Sequence, residues 1–329
     1  MRYYIFFLLV LFGININSKI TDYSLVFVHV GPVLPSYTKF ALEQARLFNP
    51  EAPIYLIINK NAKKDERDNF IISTNNIITI FCEELHHSKE HQEFNENSSL
   101  NNSWREGFWR KATERFFYLD ELISQLNLEH VIHLETDVML YVNISDIFHA
   151  LKRYKGIAAI FDNDNRCIPS FLYIPTKQMI NTLVSFIAYR AKQGFNDMEI
   201  LAHCKEKYGK EFIDFLPIII PDYVHDHELK NQLGQKVVNS DPYHNYFDEF
   251  KSIFDGAALG QYLGGIDPRN GQSLPGFINE SCIFNPSHFI YEWEKDWQGR
   301  KVPFLTYKNK KYRINNLHIH SKKLDEFKS

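Results

Sequence analysis

The chain has 329 residues, of which 44% are hydrophobic and 15% aromatic, enough apolar material for one large core or two smaller ones. Its formal net charge is −3 and acids and bases are mixed along the chain, so the basic face of a nucleic-acid-binding protein is missing and we expect no nucleic-acid partner. The four cysteines form no CxxC pair, which argues against a zinc knuckle or a thioredoxin-type site.

The amino terminus predicts a targeting segment. Arg2 precedes the apolar run 3–12, which is too short to cross about 30 Å of hydrocarbon as a regular helix. We interpret residues 1–18 as a signal peptide, or as an uncleaved signal anchor that would attach the chain to a membrane. A buried first element of a cytoplasmic protein is the alternative. Entry into an ER- or Golgi-type lumen would suit the Asn-x-Ser sequons at Asn97, Asn101, Asn143 and Asn279.

The first half of the chain alternates between predicted strands and helices. Near-continuous apolar runs, typical of parallel strands buried on both faces, predict strands at residues 25–30, 53–58, 77–81, 130–134 and 156–161. Apolar spacing predicts helices at residues 37–48, with Ser36 as cap, and 108–126. We interpret the polar stretch 86–103 as a solvated loop rather than a histidine metal site. The order favours an α/β, doubly wound sheet.

The second half has weaker signals and no linker. The pattern predicts a strand at 169–174, a helix from a Thr176 cap to about 192, a helix opened by Asp197, a short strand at 216–221 and a hairpin of 302–307 with 312–319. We therefore predict a single domain over residues 19–329.

Two carboxylates follow the predicted strand 130–134. Ligands of open α/β sheets gather at the carboxyl ends of strands, and Glu135 and Asp137 would point to the same side of an extended segment. Both could face one Mn²⁺ or Mg²⁺, which would bridge two phosphates and neutralise a leaving diphosphate. The segment from His133 to Asp137 is thus the predicted metal centre. An ordinary acidic turn is the alternative.

The blocks Phe108–Phe117 and His133–Leu140 resemble the core of glycosyltransferases of the GT-A fold, in which a helix with a donor-binding Arg or Asp precedes a strand that ends in a DXD motif. Here Glu135 stands at the first acidic position, a departure that leaves Asp137 as the surer ligand. The layout is similar to the glycogenin-like, toxin-like and mannosyl-transferring families, and it implies a Rossmann-like sheet with a nucleotide-binding half at 22–162 and an acceptor half at 163–329.

The resemblance also implies roles for single residues. A histidine near the carboxyl terminus, His318 or His320, would complete the metal shell, and Lys322 would meet the diphosphate. Asp255 or Asp197 would orient the acceptor or take its proton, although either could simply cap a helix. The donor side would include His29, Gly31, Asn59, Lys111 and Arg115.

These features together predict a hexosyltransferase-like enzyme, dependent on Mn²⁺ or Mg²⁺. It would move a sugar from a nucleoside diphosphate sugar of UDP or GDP type to a carbohydrate or glycoconjugate hydroxyl. The alternatives are a non-catalytic secreted carbohydrate-binding protein of the same fold and a metal-dependent phosphoesterase, which would need a second metal about 3.5–4 Å away.

Overall fold

The computed structural model describes residues 21–329. The predicted leader, residues 1–18, lies outside the described residues. Within 21–329, no helix combines the length and apolar character that a membrane span requires.

The described chain contains thirteen strands and ten α-helices. The strands are β1 (Ser24–His29), β2 (Ile54–Ile58), β3 (Ile78–Phe81), β4 (Val131–Leu134), β5 (Val138–Leu140), β6 (Ile157–Asn163), β7 (Arg166–Ile174), β8 (Ile213–Phe215), β9 (Ser252–Ile253), β10 (Ile290–Lys295), β11 (Lys301–Tyr307), β12 (Lys310–Ile314) and β13 (Asn316–His318). The helices are α1 (Thr38–Phe48), α2 (Glu66–Thr74), α3 (Lys89–Asn97), α4 (Phe108–Leu126), α5 (Ile144–Leu151), α6 (Lys177–Arg190), α7 (Asp197–Tyr208), α8 (Pro221–Asp226), α9 (Phe247–Phe250) and α10 (Ala258–Gly264).

A seven-stranded, mostly parallel sheet forms the centre of the molecule. Its order is β3-β2-β1-β4-β7-β6-β8, and only β7 runs antiparallel to its two neighbours. Strands β1 and β4 are almost entirely buried, because helices cover both faces of the sheet and exclude water from their apolar side chains. This arrangement confirms the predicted α/β class.

A small two-stranded sheet connects the carboxyl terminus to the end of β4. Strand β13 lies antiparallel to β5, with His318 opposite Val138, and the Ile319 amide donates to the Asp137 carbonyl oxygen at 2.9 Å. The predicted single strand 312–319 is thus two strands, because the chain leaves the four-stranded sheet β10-β11-β12-β9 at Asn315 to join β5. The register of β13 on β5 brings His318 to the acidic segment.

The prediction of a loop at 86–103 was wrong, because α3 lies inside it. The Ser88 hydroxyl oxygen caps α3 by accepting from the His91 amide at 3.1 Å. His91 and Phe94 are fully buried on the inner face of this helix. A helix with so few apolar residues shows little periodicity, and its inner face includes a charged contact that hydrophobic patterning does not detect.

Several predicted boundaries also need correction. The chain is not extended as a strand at 216–221, since β8 ends at Phe215. Neither Ser36 nor Thr176 caps a helix through its side chain, because α1 begins after Tyr37 and the Thr176 hydroxyl makes no cap bond. The cap of α7 is Asn196 rather than Asp197. All four cysteines, described in full, are buried free thiols.

Candidate functional site

A cavity of about 660 Å³ opens at the carboxyl ends of β1 and β4. Its wall includes ten of the site residues that the sequence predicted, together with the indoles of Trp104, which precedes α4, and Trp109, which lies on it. The ten are His29, Gly31, Lys111, Arg115, Glu135, Asp137, Asp197, His318, His320 and Lys322. A crevice beyond strand ends is where open α/β sheets bind ligands.

Glu135 and Asp137 lie in a tight turn rather than in an extended segment. The turn is closed by the Val138 amide, which donates to the Glu135 carbonyl oxygen at 3.1 Å. Both carboxylates nevertheless reach the same imidazole: His318 Nε2 is 3.4 Å from Glu135 Oε2 and 3.1 Å from Asp137 Oδ2. The three ligand atoms lie within 4.8 Å of one another. The turn therefore produces the convergence that the sequence analysis attributed to a strand.

His318 is held in the orientation that a metal ligand needs. Its Nδ1 donates to the Gly256 carbonyl oxygen at 2.6 Å, which directs Nε2 at the two acids and leaves Nε2 as the nitrogen that would bind a metal once it loses its proton. Burial alone would lower the pKa of His318, but Asp137 and Glu135 outweigh burial and raise it to about 9. Two carboxylates and one carbonyl-oriented imidazole fit a divalent cation such as Mn²⁺, which accepts both oxygen and nitrogen ligands.

His133 and His320 lie outside this group of ligand atoms. His133 is fully buried, and its Nδ1 lies 3.0 Å from the Val26 carbonyl oxygen. Burial, followed by the Arg115 charge, lowers the pKa of His133 to about 3. His320 hydrogen-bonds through Nδ1 to Gln261 at 3.1 Å, while its buried Nε2 has no partner among the described residues. Of the two candidate histidines, the structure thus places only His318 against the acids.

Two cations neutralise the acids of the turn. Arg115 forms ion pairs with Glu135 and, at 2.5 Å, with Asp197 Oδ2. Lys322 forms an ion pair with Asp137. Burial would raise the pKa of Asp137, but His318 and Lys322 hold it well below its usual range. The turn acids are therefore ionised, which is the form that binds a cation. A cation bound to Asp137 would replace Lys322 as its partner and leave the Lys322 ammonium available for another anion.

The two candidate catalytic aspartates have different environments. Asp197 faces the cavity, and its buried Oδ1 has no hydrogen-bond partner among the described residues. Burial outweighs Arg115 and raises the pKa of Asp197 to about 6. Asp255 instead accepts from the amides of Leu259, Gly260 and His318 at 2.9, 2.9 and 3.0 Å.

The expectation that Asp255 faces the acceptor therefore needs correction, whereas its contacts with the first amides of α10 agree with the alternative that it caps a helix. Helix α10 begins at Ala258, and Asp255 is only 1% exposed and absent from the cavity wall. Both of its carboxylate oxygens accept from backbone amides of α10 or β13. Its position makes it a positioning residue for His318 rather than a proton acceptor.

Some of the donor-side candidates line the cavity, and one supports it from behind. His29, Gly31 and Lys111 line the cavity, whereas Asn59 supports it: its Oδ1 accepts from the Gly31 amide at 2.8 Å. A side chain at position 31 would bring Cβ to 3.2 Å from His29 Nε2, so glycine keeps this edge of the cavity open.

Other wall residues were not predicted. They include Tyr37, Arg166, Gln261, Asp267, Arg269 and Asn279. Tyr37 had been assigned to the helix that it precedes, and burial raises its pKa to about 12. Of the other five, Arg166 begins β7, Gln261 lies on α10, and Asp267, Arg269 and Asn279 lie in the segment after α10.

No protein-family model matches the sequence, and no curated protein matches it. Solved structures are similar to it in fold. Mouse xyloside xylosyltransferase 1 in its apo form is 12% identical with a TM-score of 0.41, covering 60% of this chain and 86% of that chain. Galactosyltransferase LgtC in complex with donor and acceptor sugar analogs is 13% identical with a TM-score of 0.40, covering 60% and 76%.

A cytidylyltransferase from Leptospira borgpetersenii is also similar, at 13% identity and a TM-score of 0.36, with 58% of this chain and 74% of that chain covered. The similar structures thus include enzymes that transfer sugars and an enzyme that transfers a nucleotide. At these identities and TM-scores the similarity assigns no activity to the chain.

Proposed function

We propose that the chain is a glycosyltransferase that moves a sugar from a nucleoside diphosphate sugar to a hydroxyl acceptor. The observation that carries the proposal is the convergence of Glu135, Asp137 and His318 in a cavity at the carboxyl end of the sheet, with Lys322 beside them. These three side chains would hold Mn²⁺ or Mg²⁺. When bound, the cation would act as a Lewis acid that neutralises charge developing on the leaving diphosphate.

The remaining roles follow from charge and position. Lys322 reaches the cavity with its ammonium on Asp137, from which it can move to a phosphate oxygen. Arg115 keeps Glu135 and Asp197 apart and oriented, because one guanidinium is bonded to both. Asp197, with one unpartnered oxygen at the wall, is the side chain best placed to accept a hydrogen bond from an acceptor hydroxyl.

The donor would occupy the side of the cavity at the end of β1. His29 and Gly31 border that side, and Tyr37 and Trp109 offer aromatic faces on which a base or a sugar ring could stack. Either UDP or GDP would satisfy these contacts. The proposed location in a secretory lumen depends on residues 1–18 and on the presence of nucleotide sugars there.

Turnover of a panel of common nucleotide sugars tests this function. We expect Mn²⁺-dependent release of the nucleoside diphosphate from one donor by the wild type, and a loss of at least about 100-fold in D137A, since removal of electrostatic stabilisation of a leaving group costs that much. D325N, which alters an exposed acid outside the cavity, serves as the control.

The outcomes separate the alternatives. Binding of the diphosphate without turnover of any donor would favour the non-catalytic carbohydrate-binding protein. Turnover that is equal in D137A and in the wild type would refute the proposed centre.

A further inference from the structure

A second group of metal-ligating side chains lies away from the cavity. It combines His87, in the segment after β3, with His91 on α3 and Glu121 on α4. Glu114 and Glu121, seven residues apart, share a face of α4 that is turned about 100° around the helix from Arg115. The group is therefore separate from the turn acids, although the same helix contributes to both.

The donor atoms of this group are close together, and those of His91 and Glu121 are buried, whereas His87 lies at the surface side of the group. One nitrogen of each imidazole and one oxygen of Glu121 lie within 4.8 Å of one another. His91 Nδ1 is 2.8 Å from Glu121 Oε1, and the two side chains are 0% and 1% exposed. The rings of His87 and His91 lie 4.7 Å apart, and His87 Nε2 is 3.3 Å from the Cys82 carbonyl oxygen.

An independent observation points to a missing partner. Glu121 Oε1 accepts from the Ser88 amide at 2.9 Å and from His91, but the buried Oε2 has no hydrogen-bond partner among the described residues. In folded proteins the large majority of buried side-chain polar atoms have a hydrogen-bond partner. An oxygen that is both buried and unsatisfied beside two imidazoles marks a position where a cation would bind.

The second nitrogen of His91 already has the partner that metal-bound histidines have. His91 Nε2 is 3.1 Å from Glu114 Oε1. If a cation takes the place of the proton on Nδ1, Nε2 remains protonated and donates to Glu114. That chain of carboxylate, histidine and metal fixes the tautomer and the ring orientation and strengthens the imidazole as a ligand.

We propose that His87, His91 and Glu121 form a zinc site, with Glu114 as the outer partner of His91. Two imidazoles and one carboxylate are a ligand set that suits Zn²⁺, with water in the fourth position. Metal–ligand distances of about 2.0–2.2 Å place tetrahedral ligand atoms about 3.3–3.6 Å apart. Atoms at the 4.8 Å limit of this group would have to approach by up to about 1.5 Å, and His91 Nδ1 and Glu121 Oε1, now 2.8 Å apart, would have to separate by roughly 0.5 Å. The ion would link the end of β3, α3 and α4.

The charge around the group favours a divalent cation over an anion. The negative charges of Glu83, Glu114 and Glu121 all lie close enough to affect the neighbouring Cys82 thiol and Tyr118 hydroxyl. Burial first, and then these acids, raise the pKa values of the Cys82 thiol and the Tyr118 hydroxyl. Without metal, His91 would serve as a protonated link between two glutamates, because those carboxylates outweigh burial and raise its pKa to about 9. This is the competing account.

Zinc retained by the full chain after dialysis distinguishes the two accounts, with Zn²⁺ itself as the probe and atomic emission as the readout. We compare wild type with H87A and, as matched control, with H86A, which alters the adjacent exposed histidine outside the group. We expect one zinc equivalent fewer, or an affinity at least about tenfold weaker, in H87A alone. E121Q, which keeps the size of the side chain and an acceptor oxygen, should show the same loss.

The D137N variant distinguishes zinc bound at this site from zinc bound in the cavity. We expect D137N to keep the equivalent that H87A loses, and added Zn²⁺ to raise the Tm of D137N but not that of the H87A/D137N double variant. Equal zinc retention by H87A, H86A and wild type would overturn the proposal and leave His91 as a charged link. Neither H87A nor H86A alters a core side chain, so both variants should fold. Their comparison therefore tests the proposal even if D137N does not fold.

Discussion

At the scale of single residues, the site depends on buried polar groups whose partners are backbone amides. Asp255 accepts from three amides, two at the start of α10 and one on β13, and its side chain is fully enclosed. It thereby connects the helix to the strand that carries His318. Sequence patterns identified Asp255 as notable, but its role depends on contacts between segments that are more than 50 positions apart.

Asp255→Asn tests that connection. An amide would place an NH₂ group against N–H donors that now share two carboxylate oxygens, so at least one buried amide loses its acceptor. We expect the free energy of unfolding to fall by roughly 1 to 3 kcal/mol in urea denaturation. Asp248→Asn is the control, because that side chain is 85% exposed and should change stability by less than about 0.5 kcal/mol. Equal effects of the two substitutions would contradict this role.

Asp162 predicts a pH dependence of stability. Burial outweighs Arg166 and raises the pKa of Asp162 to about 6, above its unfolded value near 4. The native state then binds more protons at Asp162 than the unfolded state does between these values, so the contribution of Asp162 to stability is fully present below about pH 4 and is lost as the pH rises through 6. We expect this group to cost roughly 1 to 3 kcal/mol at pH 7.

Urea unfolding of wild type and Asp162→Asn at pH 4.5 and pH 7 measures this cost. The wild type should lose stability relative to the variant at the higher pH. Parallel pH profiles would show that the pKa of Asp162 is not raised in the native state.

At the scale of elements, the position of β13 depends on its close approach to α10. A Cβ atom at Gly260 would lie 2.0 Å from the His318 carbonyl oxygen, so only glycine lets the helix backbone pack against the strand. The pairing of β13 with β5 then brings His318 to the acidic turn. Two elements distant in sequence, one a three-residue strand, thus determine the geometry of the centre.

Gly260→Ala should displace β13 and with it His318. We expect unfolding to become easier by roughly 1 to 3 kcal/mol, as overpacking against backbone does, and Mn²⁺ binding to weaken in the same variant. Gly264→Ala is the control on the same helix, because its nearest neighbours are side-chain atoms at 3.1 Å, which can move. Equal Mn²⁺ affinities in the two variants would contradict the dependence of His318 on α10.

The sequence predicted some elements better than others for physical reasons. The apolar runs of β1, β2 and β4 and the spacing of α4 were recognised because burial on both faces, or on one helical face, leaves a clear hydrophobic pattern. Helix α3 was missed because its buried face includes His91, which is held by two glutamates. Strand β10, whose residues are half-buried or exposed, gave no such pattern either.

At the scale of the whole molecule, distant segments meet at one edge of the central sheet. The end of β1, the start of α4, the turn after β4 and the carboxyl-terminal segment all border the cavity. The sequence predicted the acids and the two terminal histidines as one group, because residue type and strand order limit where they can lie. It could not choose between His318 and His320, since that choice depends on where β13 ends.

The central claim is that Glu135, Asp137 and His318 bind a divalent cation that in turn holds a nucleoside diphosphate. Calorimetric titration of the full chain with UDP and with GDP, each with Mn²⁺ and with EDTA, tests it most directly. We predict that one diphosphate binds per chain in Mn²⁺, and that EDTA or D137N weakens this binding at least about tenfold while D325N does not. Binding of equal strength in EDTA or in D137N, or no binding of either diphosphate in Mn²⁺, would contradict the account.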